Sequence, residues 1–490
     1  MRIQLIGRQA EQKTLQSIYD SLRPEFLAIY GRRRVGKTFL VKQFYSNKKA
    51  RFFSITGIQK GTLLQQIQRF TIEIGRVFNN DLHLNPQKNW FDTFDLLTDA
   101  INKNVKRNEK VILFLDEFPW LVTPRSNLLN ALEYFWNQYW SNDTRIKLII
   151  CGSSASWILK KIINNKGGLH NRITYKLRLP PFSLKESKDF LVSQSIKLNN
   201  KQITQLYMVT GGIPYYLAAA QKGLSVTQLI EQLAFQQNSI LFTEFDNLLS
   251  SLFKDAASYN ELLRLIAGHR YGIEQDEISK KSSHSSGGRL VDKLKGLEDA
   301  GFIEKFIPHL HKQRGIYYKV IDEYTLFYLR WIEPVRNTLQ KHSLESGYWE
   351  SQYNSAAWSS WTGYAFEALC YKHVSQIRKK LNISPGAIAS VWRFVPPAKS
   401  NESGAQIDLL FDRMDDAVTI CEIKYTENPF IIDKQYAKAL LNKINVFVSR
   451  TGTTKQVLLS FVAANGVKDN IYADDMISGA VVTLDDLFSY

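Results

Sequence analysis

The chain has 490 residues, of which 44% are hydrophobic and 22% are charged, a balance that excludes wholesale disorder and favours about three packed domains. Its 63 basic and 46 acidic side chains give a net charge of +17, which favours polyanionic partners, above all nucleic acid or an anionic membrane, and does not choose between them. Three scattered cysteines, Cys151, Cys370 and Cys421, exclude a disulfide framework and a cysteine-rich zinc module.

The sequence shows no targeting or membrane segment. Residues 1–8 lack the apolar stretch of a signal peptide. The longest apolar runs, such as Val111–Leu115, are far shorter than the roughly 20 residues that a membrane helix needs. We therefore expect a cytoplasmic protein with no membrane partner.

The first 180 residues alternate short apolar runs with helix-length segments. Runs of about five apolar residues separated in this way indicate a parallel sheet covered on both faces. The predicted strands are Phe26–Tyr30, Arg51–Ile55, Val111–Leu115, Lys147–Cys151 and Tyr175–Leu179.

Residues Gly31–Thr38 read GRRRVGKT and match the P-loop pattern in full. The motif follows a predicted strand and precedes a predicted helix that begins at Phe39, so its backbone N–H groups and the helix amino terminus would face phosphates. Lys37 would reach the β- and γ-phosphates of ATP, and the Thr38 hydroxyl would bind Mg²⁺. The alternative is a chance match in a glycine-containing turn.

Two acids, Asp116 and Glu117, end the third predicted strand. Carboxylates at the end of a buried strand are costly unless a metal ion and a water need them. Asp116 would hold the hydrated Mg²⁺, and Glu117 would orient or deprotonate the attacking water. The alternative is a pair of acids capping a helix.

Weaker candidates surround these motifs. Ser153 and Ser154 follow the fourth strand and would sense the γ-phosphate or cap a turn. Arg172 would act in trans on the nucleotide of a neighbouring copy in a homo-oligomer, or lie on the surface. We expect the arginines at positions 32–34 of the P-loop to be solvated rather than catalytic.

These motifs occur in one order with Ile6–Glu11, Cys151–Ser154 and Thr210–Tyr215. In this combination, residues 1–330 resemble the archaeal-type P-loop ATPases, relatives of the AAA+ and signal-transducing (STAND) ATPases. The resemblance implies a helical lid, with Arg8 near the base of the nucleotide and Gly212–Pro214 against it from the lid side, although glycine–proline turns also occur for structural reasons. The residues predicted to bind ATP are Arg8, Gly31, Arg34, Val35, Gly36, Lys37, Thr38, Phe39, Asp116 and Pro214.

Residues 256–330 have the pattern of a winged helix. Two short helices, at Gln275–Lys280 and Gly287–Leu297, precede an apolar hairpin made by Gly301–Phe306 and Gly315–Val320. The basic side chains predicted to face outward, towards DNA phosphates, are Lys280, Lys281, Arg289, Lys293 and Lys295. Alternatively, the element packs against protein and this basic face is only solvated.

A second group of acids and lysines lies near the carboxyl end. Gly404–Phe411 and Ala417–Lys424 read as two strands of a hairpin, which brings Asp408 beside Glu422 and Lys424. Two carboxylates can hold Mg²⁺ or Mn²⁺, and an ammonium group can stabilise the charge that develops in phosphodiester hydrolysis. The alternative is an exposed ladder of acidic and basic side chains.

The spacing of Asp408 and Glu422-x-Lys424 resembles the restriction-endonuclease-like PD-(D/E)xK superfamily, with Ile407 where that motif has proline. The resemblance implies a first helix over Trp361–Leu369, in which Glu367 completes the metal shell. It also implies that Lys434 and Lys438 begin a helix facing the scissile phosphate.

The predicted fold class is α/β, with a P-loop (ASCE/AAA+-like) parallel-sheet ATPase domain over residues 1–180. It continues with a helical lid over 181–255, a winged helix over 256–330, an aromatic helical connector over 331–360 and a nuclease-like α/β domain over 361–490. The predicted function is an ATPase whose nucleotide state controls a metal-dependent nuclease-like domain acting on DNA. The alternative is a nucleotide-dependent switch or DNA-binding regulator whose carboxy-terminal domain docks without cleaving, and a protein partner stays open.

Overall fold

The structure is a computed structural model that describes residues 5–164, 167–169, 171–236, 238–283, 287–309, 315–341, 347–353, 355–397 and 402–489. The chain divides into two compact units, Met1–Pro181 and Phe182–Tyr490. Pro180 and Pro181 therefore mark the end of the first unit, while the predicted lid, winged helix, connector and nuclease-like domain all lie within the second.

The first unit is built on a parallel sheet of five strands in the order β2-β3-β4-β1-β5. The predicted strands are confirmed with small changes at their ends. They are β1 (Glu25–Tyr30), β2 (Ala50–Thr56), β3 (Lys110–Asp116), β4 (Ile146–Gly152) and β5 (Tyr175–Arg178). Strand β4 lies between β1 and β3, so the P-loop strand and the strand that ends in Asp116 are not neighbours.

Amphipathic helices cover this sheet and bury its apolar side chains. The helix Leu63–Phe78 shows the pattern: Thr62 and Gln65 form a capping box, and Ile67, Phe70 and Ile74 are buried in the core. The α-helices of this unit are Gln9–Asp20, Lys37–Tyr45, Leu63–Phe78, Trp90–Asn104, Phe118–Leu121, Leu128–Gln138 and Ala155–Ile158. A 3₁₀ turn spans Trp140–Asn142 and a π turn spans Leu159–Ile163.

The second unit begins with a helical region, as the sequence predicts. Its helices are Leu184–Ser193, Asn200–Thr210, Pro214–Leu217, Val226–Ala234, Glu244–Leu252 and Ala256–Ala267. Capping boxes start three of them, at Ser183, Asn199 and Ser225, and each satisfies backbone N–H groups that the first helical turn leaves unpaired.

A small three-stranded sheet follows, in the order β6-β8-β7. Its strands are β6 (Ile273–Glu274), β7 (Ile303–Phe306) and β8 (Tyr317–Val320). The helices Gln275–Lys281 and Gly288–Asp299 lie between β6 and β7 in the chain. Leu290, Leu294 and Leu297 are buried at helical spacing, as predicted, and β7 and β8 form the predicted antiparallel hairpin.

The segment predicted as a connector is part of a packed core. Turns of π and 3₁₀ type at Tyr328–Ile332 and Glu333–Val335 follow the helix Glu323–Phe327. The next helices are Arg336–Lys341, Tyr348–Gln352, Ala356–Lys372 and Val374–Lys380. Four tryptophans at positions 331, 349, 358 and 361 are buried and pack edge to face or stacked. A helix and this cluster therefore cross residue 361, where the sequence suggests a boundary.

The carboxy-terminal part contains a mixed sheet of five strands in the order β13-β12-β11-β10-β9. Its strands are β9 (Ile388–Phe394), β10 (Ala405–Asp412), β11 (Ala417–Lys424), β12 (Gln456–Ala463) and β13 (Val481–Val482). Strands β9, β10 and β11 are antiparallel neighbours, and β12 and β13 continue the sheet in parallel. The remaining helices are Lys434–Thr451, Ile471–Met476 and Leu484–Leu487.

Across the residues that the structure describes, no helix combines the length and the apolar character that crossing a bilayer requires.

Candidate functional site

The P-loop connects β1 to the helix Lys37–Tyr45, and three of its residues have positive φ. Gly31 has φ 145°, and a Cβ there would lie 2.4 Å from the Leu179 carbonyl oxygen, so only glycine fits. Arg34 has φ 70° and Gly36 has φ 92°. No atom lies within 4 Å of a Cβ placed on Gly36, which leaves the loop open directly before the helix amino terminus.

Lys37 is the first residue of that helix, and its side chain is buried. Its Nζ donates to the carbonyl oxygens of Gly31 (3.0 Å) and Arg32 (2.9 Å) in the same loop. Burial lowers the pKa of Lys37. Two carbonyl oxygens compensate poorly for the desolvation of an ammonium group, so an anion placed in this loop would be bound favourably.

Arg8 contacts the backbone of the P-loop. It is buried, has φ 57° at the start of the helix Gln9–Asp20, and donates from Nη2 to the Val35 carbonyl oxygen at 3.1 Å. Its Nη1 lies 3.6 Å from Glu11 Oε1. Arg8 therefore fixes the backbone of the phosphate loop.

Thr38 and Asp116 meet at the carboxyl edge of the sheet. Thr38 Oγ1 lies 3.0 Å and 2.9 Å from the two Asp116 carboxylate oxygens. A hydroxyl from the helix after β1 and a carboxylate from the end of β3 are thus adjacent although β4 separates the two strands. Oxygen ligands in this combination suit Mg²⁺, which keeps several of its waters.

Two further residues bind the Asp116 carboxylate and were not predicted. Thr56 Oγ1 at the end of β2 donates at 3.2 Å, and Cys151 Sγ at the end of β4 donates at 2.9 Å. Burial raises the pKa of Cys151, which keeps its thiol protonated as a donor. The contribution of Thr56 could be inferred only from its pairing with Asp116 across β2 and β3. That pairing is not known until the sheet is assembled.

Glu117 follows Asp116 with φ 43°, in the left-handed region. Its Oε2 accepts two hydrogen bonds from Ser153, one from the backbone N–H at 3.0 Å and one from the hydroxyl at 2.9 Å. Ser153 is therefore placed to orient Glu117. Ser154 precedes the short helix Ala155–Ile158, and its side chain makes no capping hydrogen bond.

The structure also locates the remaining residues that were predicted to bind the nucleotide or act on it. Arg32 is 5% exposed, contrary to the expectation that it is solvated, because surrounding protein atoms cover it. Phe39 and Arg172 are exposed. Pro214 begins the helix Pro214–Leu217 in the second unit, after Gly211 and Gly212 in the left-handed region.

The second predicted group lies at one end of the β10–β11 hairpin. Asp408 Oδ2 accepts the Ile423 N–H at 3.2 Å, and Gln406 Nε2 donates to Asp408 Oδ1 at 3.2 Å. Lys424 Nζ lies 3.5 Å from Glu422 Oε2, as expected for side chains two residues apart on one face. The hairpin thus brings Asp408 next to Glu422 and Lys424. Burial and the charge of Glu422 raise the pKa of Asp408.

Glu367 projects from the helix Ala356–Lys372 towards this group. Burial and the charge of Asp408 raise the pKa of Glu367 to about 7. Its Oε1 forms an ion pair with Arg270 Nη2 at 2.6 Å, a contact that spans 97 residues of sequence. No local pattern in the sequence indicated this partner.

Glu422 also has unpredicted partners, both on the helix Lys434–Thr451. Tyr436 Oη donates to its Oε2 at 3.1 Å, and Lys443 Nζ bonds to its Oε1. Lys434 and Lys438, predicted from the same helix, are exposed. Throughout the described part of the chain, no three or more histidine, cysteine or acidic side chains are grouped so that they could hold a metal ion.

Comparison with known proteins identifies the amino-terminal part of the chain, including all of the described first unit and the start of the second. Residues 5–220 match a family model described as an ATPase domain predominantly from Archaea. An uncharacterized protein of Methanocaldococcus jannaschii is 26% identical over 428 residues, which is 86% of this chain and 88% of that protein. An uncharacterized ATP-binding protein of the same organism is 38% identical over 53 residues, which is 11% of this chain and 90% of that protein.

Among solved structures, the chain is similar to the Walker-type ATPase of Pyrococcus abyssi, with 20% identity and a TM-score of 0.47. That match covers 66% of this chain and 96% of the other. Together with the P-loop, the Thr38–Asp116 contact and the order of the sheet, the family match leads to one conclusion. The chain belongs to this predominantly archaeal family of P-loop ATPases.

Proposed function

We propose that ATP binding and hydrolysis in the first unit control a metal-dependent nuclease-like site in the second unit that acts on DNA. The observation that carries the proposal is the placement of Asp408, Glu422 and Lys424 at one end of a hairpin in a mixed sheet. Asp408 lies close enough to Glu367 for its charge to raise the pKa of Glu367. Phosphodiester hydrolysis can use acids that bind a divalent metal ion and a cation that stabilises the developing negative charge, and this group of residues contains both.

In the first unit, Lys37 and the backbone N–H groups of the P-loop bind the phosphates of ATP. Thr38 and Asp116 hold Mg²⁺, and their direct contact at 2.9–3.0 Å is consistent with that pairing. Bound Mg²⁺ supplies positive charge that offsets the charge developing on the phosphates. Glu117 accepts a hydrogen bond from the attacking water and orients it, and Ser153 holds Glu117 in place.

In the second unit, Asp408 and Glu422 provide the oxygen ligands for Mg²⁺ or Mn²⁺, with Glu367 in support. A bound divalent ion would lower the pKa of its water ligand and would place positive charge next to the phosphate. Lys424 places its ammonium group beside the ligands, where it steadies the charge on the phosphodiester. Because Arg270 and Lys443 now neutralise Glu367 and Glu422, metal binding requires those ion pairs to open.

The proposed winged helix at residues 256–330 supplies part of the DNA-binding surface. Lys280, Arg289 and Lys295 are exposed on its two short helices and suit contacts with phosphates. The other two predicted residues are already paired within the protein, Lys281 with Glu277 at 2.6 Å and Lys293 with Asp255 at 3.0 Å. The expected basic face is thus smaller than the sequence suggested.

The test is cleavage of plasmid and single-stranded DNA by the full chain with Mg²⁺ or Mn²⁺, with and without ATP. Asp408→Asn keeps the shape of the side chain and removes its charge, and Asp415→Asn is the matched control in the exposed turn of the same hairpin. We expect metal-dependent cutting that Asp408→Asn abolishes, that Asp415→Asn leaves unchanged, and that Lys37→Ala makes insensitive to ATP. Cutting that persists in Asp408→Asn would overturn the proposed site.

A second candidate function is a nucleotide-dependent switch whose carboxy-terminal domain binds without cleaving. The ion pairs Arg270–Glu367 and Lys443–Glu422 favour it, because they occupy the acids that a metal ion would need. Tight DNA binding without cutting in any nucleotide state would support this candidate over the first.

A further inference from the structure

A cavity of about 380 Å³ lies within the second unit between the small three-stranded sheet and the carboxy-terminal sheet. Its walls come from the loop before β6, from β7 and β8, from the helix Ala356–Lys372 and from β9 and β10. The volume is in the range of pockets that bind small ligands. Nothing in the ATPase chemistry of the first unit uses it.

The walls combine aromatic rings with cations. Arg393 lies over the Tyr271 ring with its Cζ 4.6 Å from the ring centroid, and Arg270 lies 5.3 Å from the Tyr364 centroid. Lys319 Nζ lies 3.2 Å from the Tyr371 centroid. Planar rings and guanidinium groups stack on planar aromatic ligands, and guanidinium groups also bind phosphate.

The charge of the lining is positive. Arg270, Lys319 and Arg393 line the cavity together with one acid, Glu367. Arg270 is paired with Glu367 and Lys319 with Glu304, so Arg393 supplies the surplus positive charge. Lys319 is buried and its ion pair with Glu304 is 3.4 Å long. A cavity with aromatic walls and surplus positive charge is complementary to a planar ligand that carries negative charge.

The cavity also adjoins the proposed nuclease-like site. Gln406, which lines the cavity, donates to Asp408 Oδ1, and Tyr371 donates to the Asp408 backbone carbonyl. Glu367 lines the cavity, and the charge of Asp408 raises the pKa of Glu367. A ligand that fills the cavity would therefore lie beside Asp408.

We propose that this cavity binds one nucleotide, with the base between the aromatic side chains and the phosphate at Arg270 and Arg393. The nucleotide is an unpaired residue of a DNA strand or a free mononucleotide, since both present the same base and phosphate. This inference rests on the proposed function, because that function places a DNA strand beside Asp408. Its test therefore measures binding rather than cleavage.

The experiment uses the full chain in EDTA, so that metal-dependent cutting is absent. One arm irradiates a single-stranded oligonucleotide that carries 4-thiothymidine, and the other irradiates free 4-thiothymidine monophosphate, with the cross-linked residues mapped by mass spectrometry. A third measurement compares the affinity of the oligonucleotide with that of the same strand made abasic at the 4-thiothymidine position. Arg393→Ala is tested against Arg330→Ala, an exposed arginine outside the cavity.

We expect cross-links to Tyr271 or Tyr364 that Arg393→Ala reduces about tenfold and Arg330→Ala leaves unchanged, since a charge-assisted hydrogen bond to phosphate contributes about that much to binding. Labelling by the oligonucleotide identifies a strand residue as the ligand, and labelling by the monophosphate alone identifies a free nucleotide. Equal binding of the abasic strand, with no cross-link in the cavity from either probe, would overturn the inference. Cavity cross-links without any cleavage in Mg²⁺ would leave the inference standing and count against the nuclease.

Discussion

Two carboxylate sites at the ends of strands differ in what surrounds them. Asp116 in the first unit is bound by uncharged donors, the hydroxyls of Thr38 and Thr56 and the thiol of Cys151. In the second unit, Glu422 and Glu367 are bound by the cations Lys443 and Arg270. Uncharged donors leave the negative charge of an acid available to a metal ion, whereas a cation neutralises it.

The comparison shows that acids at the end of a sheet do not by themselves make a metal site. Under the proposed function, the first site would bind Mg²⁺ and a nucleotide without breaking an ion pair of Asp116. In the second site, Glu367 and Glu422 are paired with Arg270 and Lys443, so metal binding as we propose it would depend on the motion of these two cations. This difference provides a physical basis for control of the second site, because whatever displaces those cations would turn it on.

The largest expected effect concerns the first site. Lys37→Ala removes the ammonium group that the phosphates need, and we expect ATP turnover to fall roughly 100-fold or more. Release of inorganic phosphate measures it. Lys42→Ala, an exposed lysine on the same helix, is the control and should keep full turnover. Equal loss in both variants would indicate a general effect of charge on the helix.

A smaller effect is expected from Ser153→Ala. The change removes one of the two hydrogen bonds that hold Glu117 and leaves the backbone N–H in place. We expect kcat for ATP to fall about tenfold while KM changes little, since orientation of the base affects the transition state more than binding. Ser154→Ala, which lacks that contact, should resemble the unaltered protein. A change in KM alone would contradict the role of Ser153.

Loss of a cation should have the opposite effect at the second site, where it should strengthen metal binding. Arg270→Gln frees Glu367 from its ion pair but also removes a cation that lowers the pKa of Glu367. We therefore expect Mn²⁺ to bind the second unit about fivefold more tightly at pH 8, with a gain that grows as pH rises and more of Glu367 is ionised. Titration calorimetry measures this in a Lys37→Ala, Thr38→Ala background that disables the first site. Arg330→Ala is the control. Unchanged affinity in Arg270→Gln would mean that the ion pair does not limit metal access.

The smallest effect concerns the stability of the second unit in acid. His373 is buried between Leu184 N–H, which donates to Nε2 at 3.2 Å, and the Leu369 carbonyl, 2.9 Å from Nδ1. Burial lowers the pKa of His373 to about 4. The charged or titratable groups nearest to it are Lys372, which is paired with Glu323, and the Tyr207 ring 5.7 Å away.

The folded-state pKa of His373 lies below the unfolded value of about 6.5, so the unfolded chain takes up the proton first and stability falls as pH drops below about 6.5. We expect a loss of about 1 kcal/mol between pH 7 and pH 5.5, measured by urea unfolding. His373→Gln should remove this part of the pH dependence. An identical slope in the variant would assign the effect to other groups.

Local patterns in the sequence predicted the parts of the fold and sites that depend on neighbouring residues. The P-loop, the buried strand before Asp116 and the alternation that places Glu422 and Lys424 on one face all follow from short spacings. Contacts across long separations were missed, because only the packed sheet or core creates them. Cys151 with Asp116 and Arg270 with Glu367 are examples.

The aromatic segment illustrates the same limit. Its mixture of tryptophans and polar residues suggested a connector, yet Trp349 and Trp358 are buried in a cluster with Trp331 and Trp361. A helical pattern does not reveal whether its aromatic face is covered by another part of the chain. Packing decides that question.

The most direct test of the two-site account is anomalous diffraction from crystals of the full chain grown with Mn²⁺ and a non-hydrolysable ATP analogue. The account predicts two manganese peaks, one beside Thr38 and Asp116 and one beside Asp408 and Glu422, the latter with Arg270 and Lys443 moved off their acids. A single peak at Asp116, with Arg270 still bound to Glu367, would contradict it.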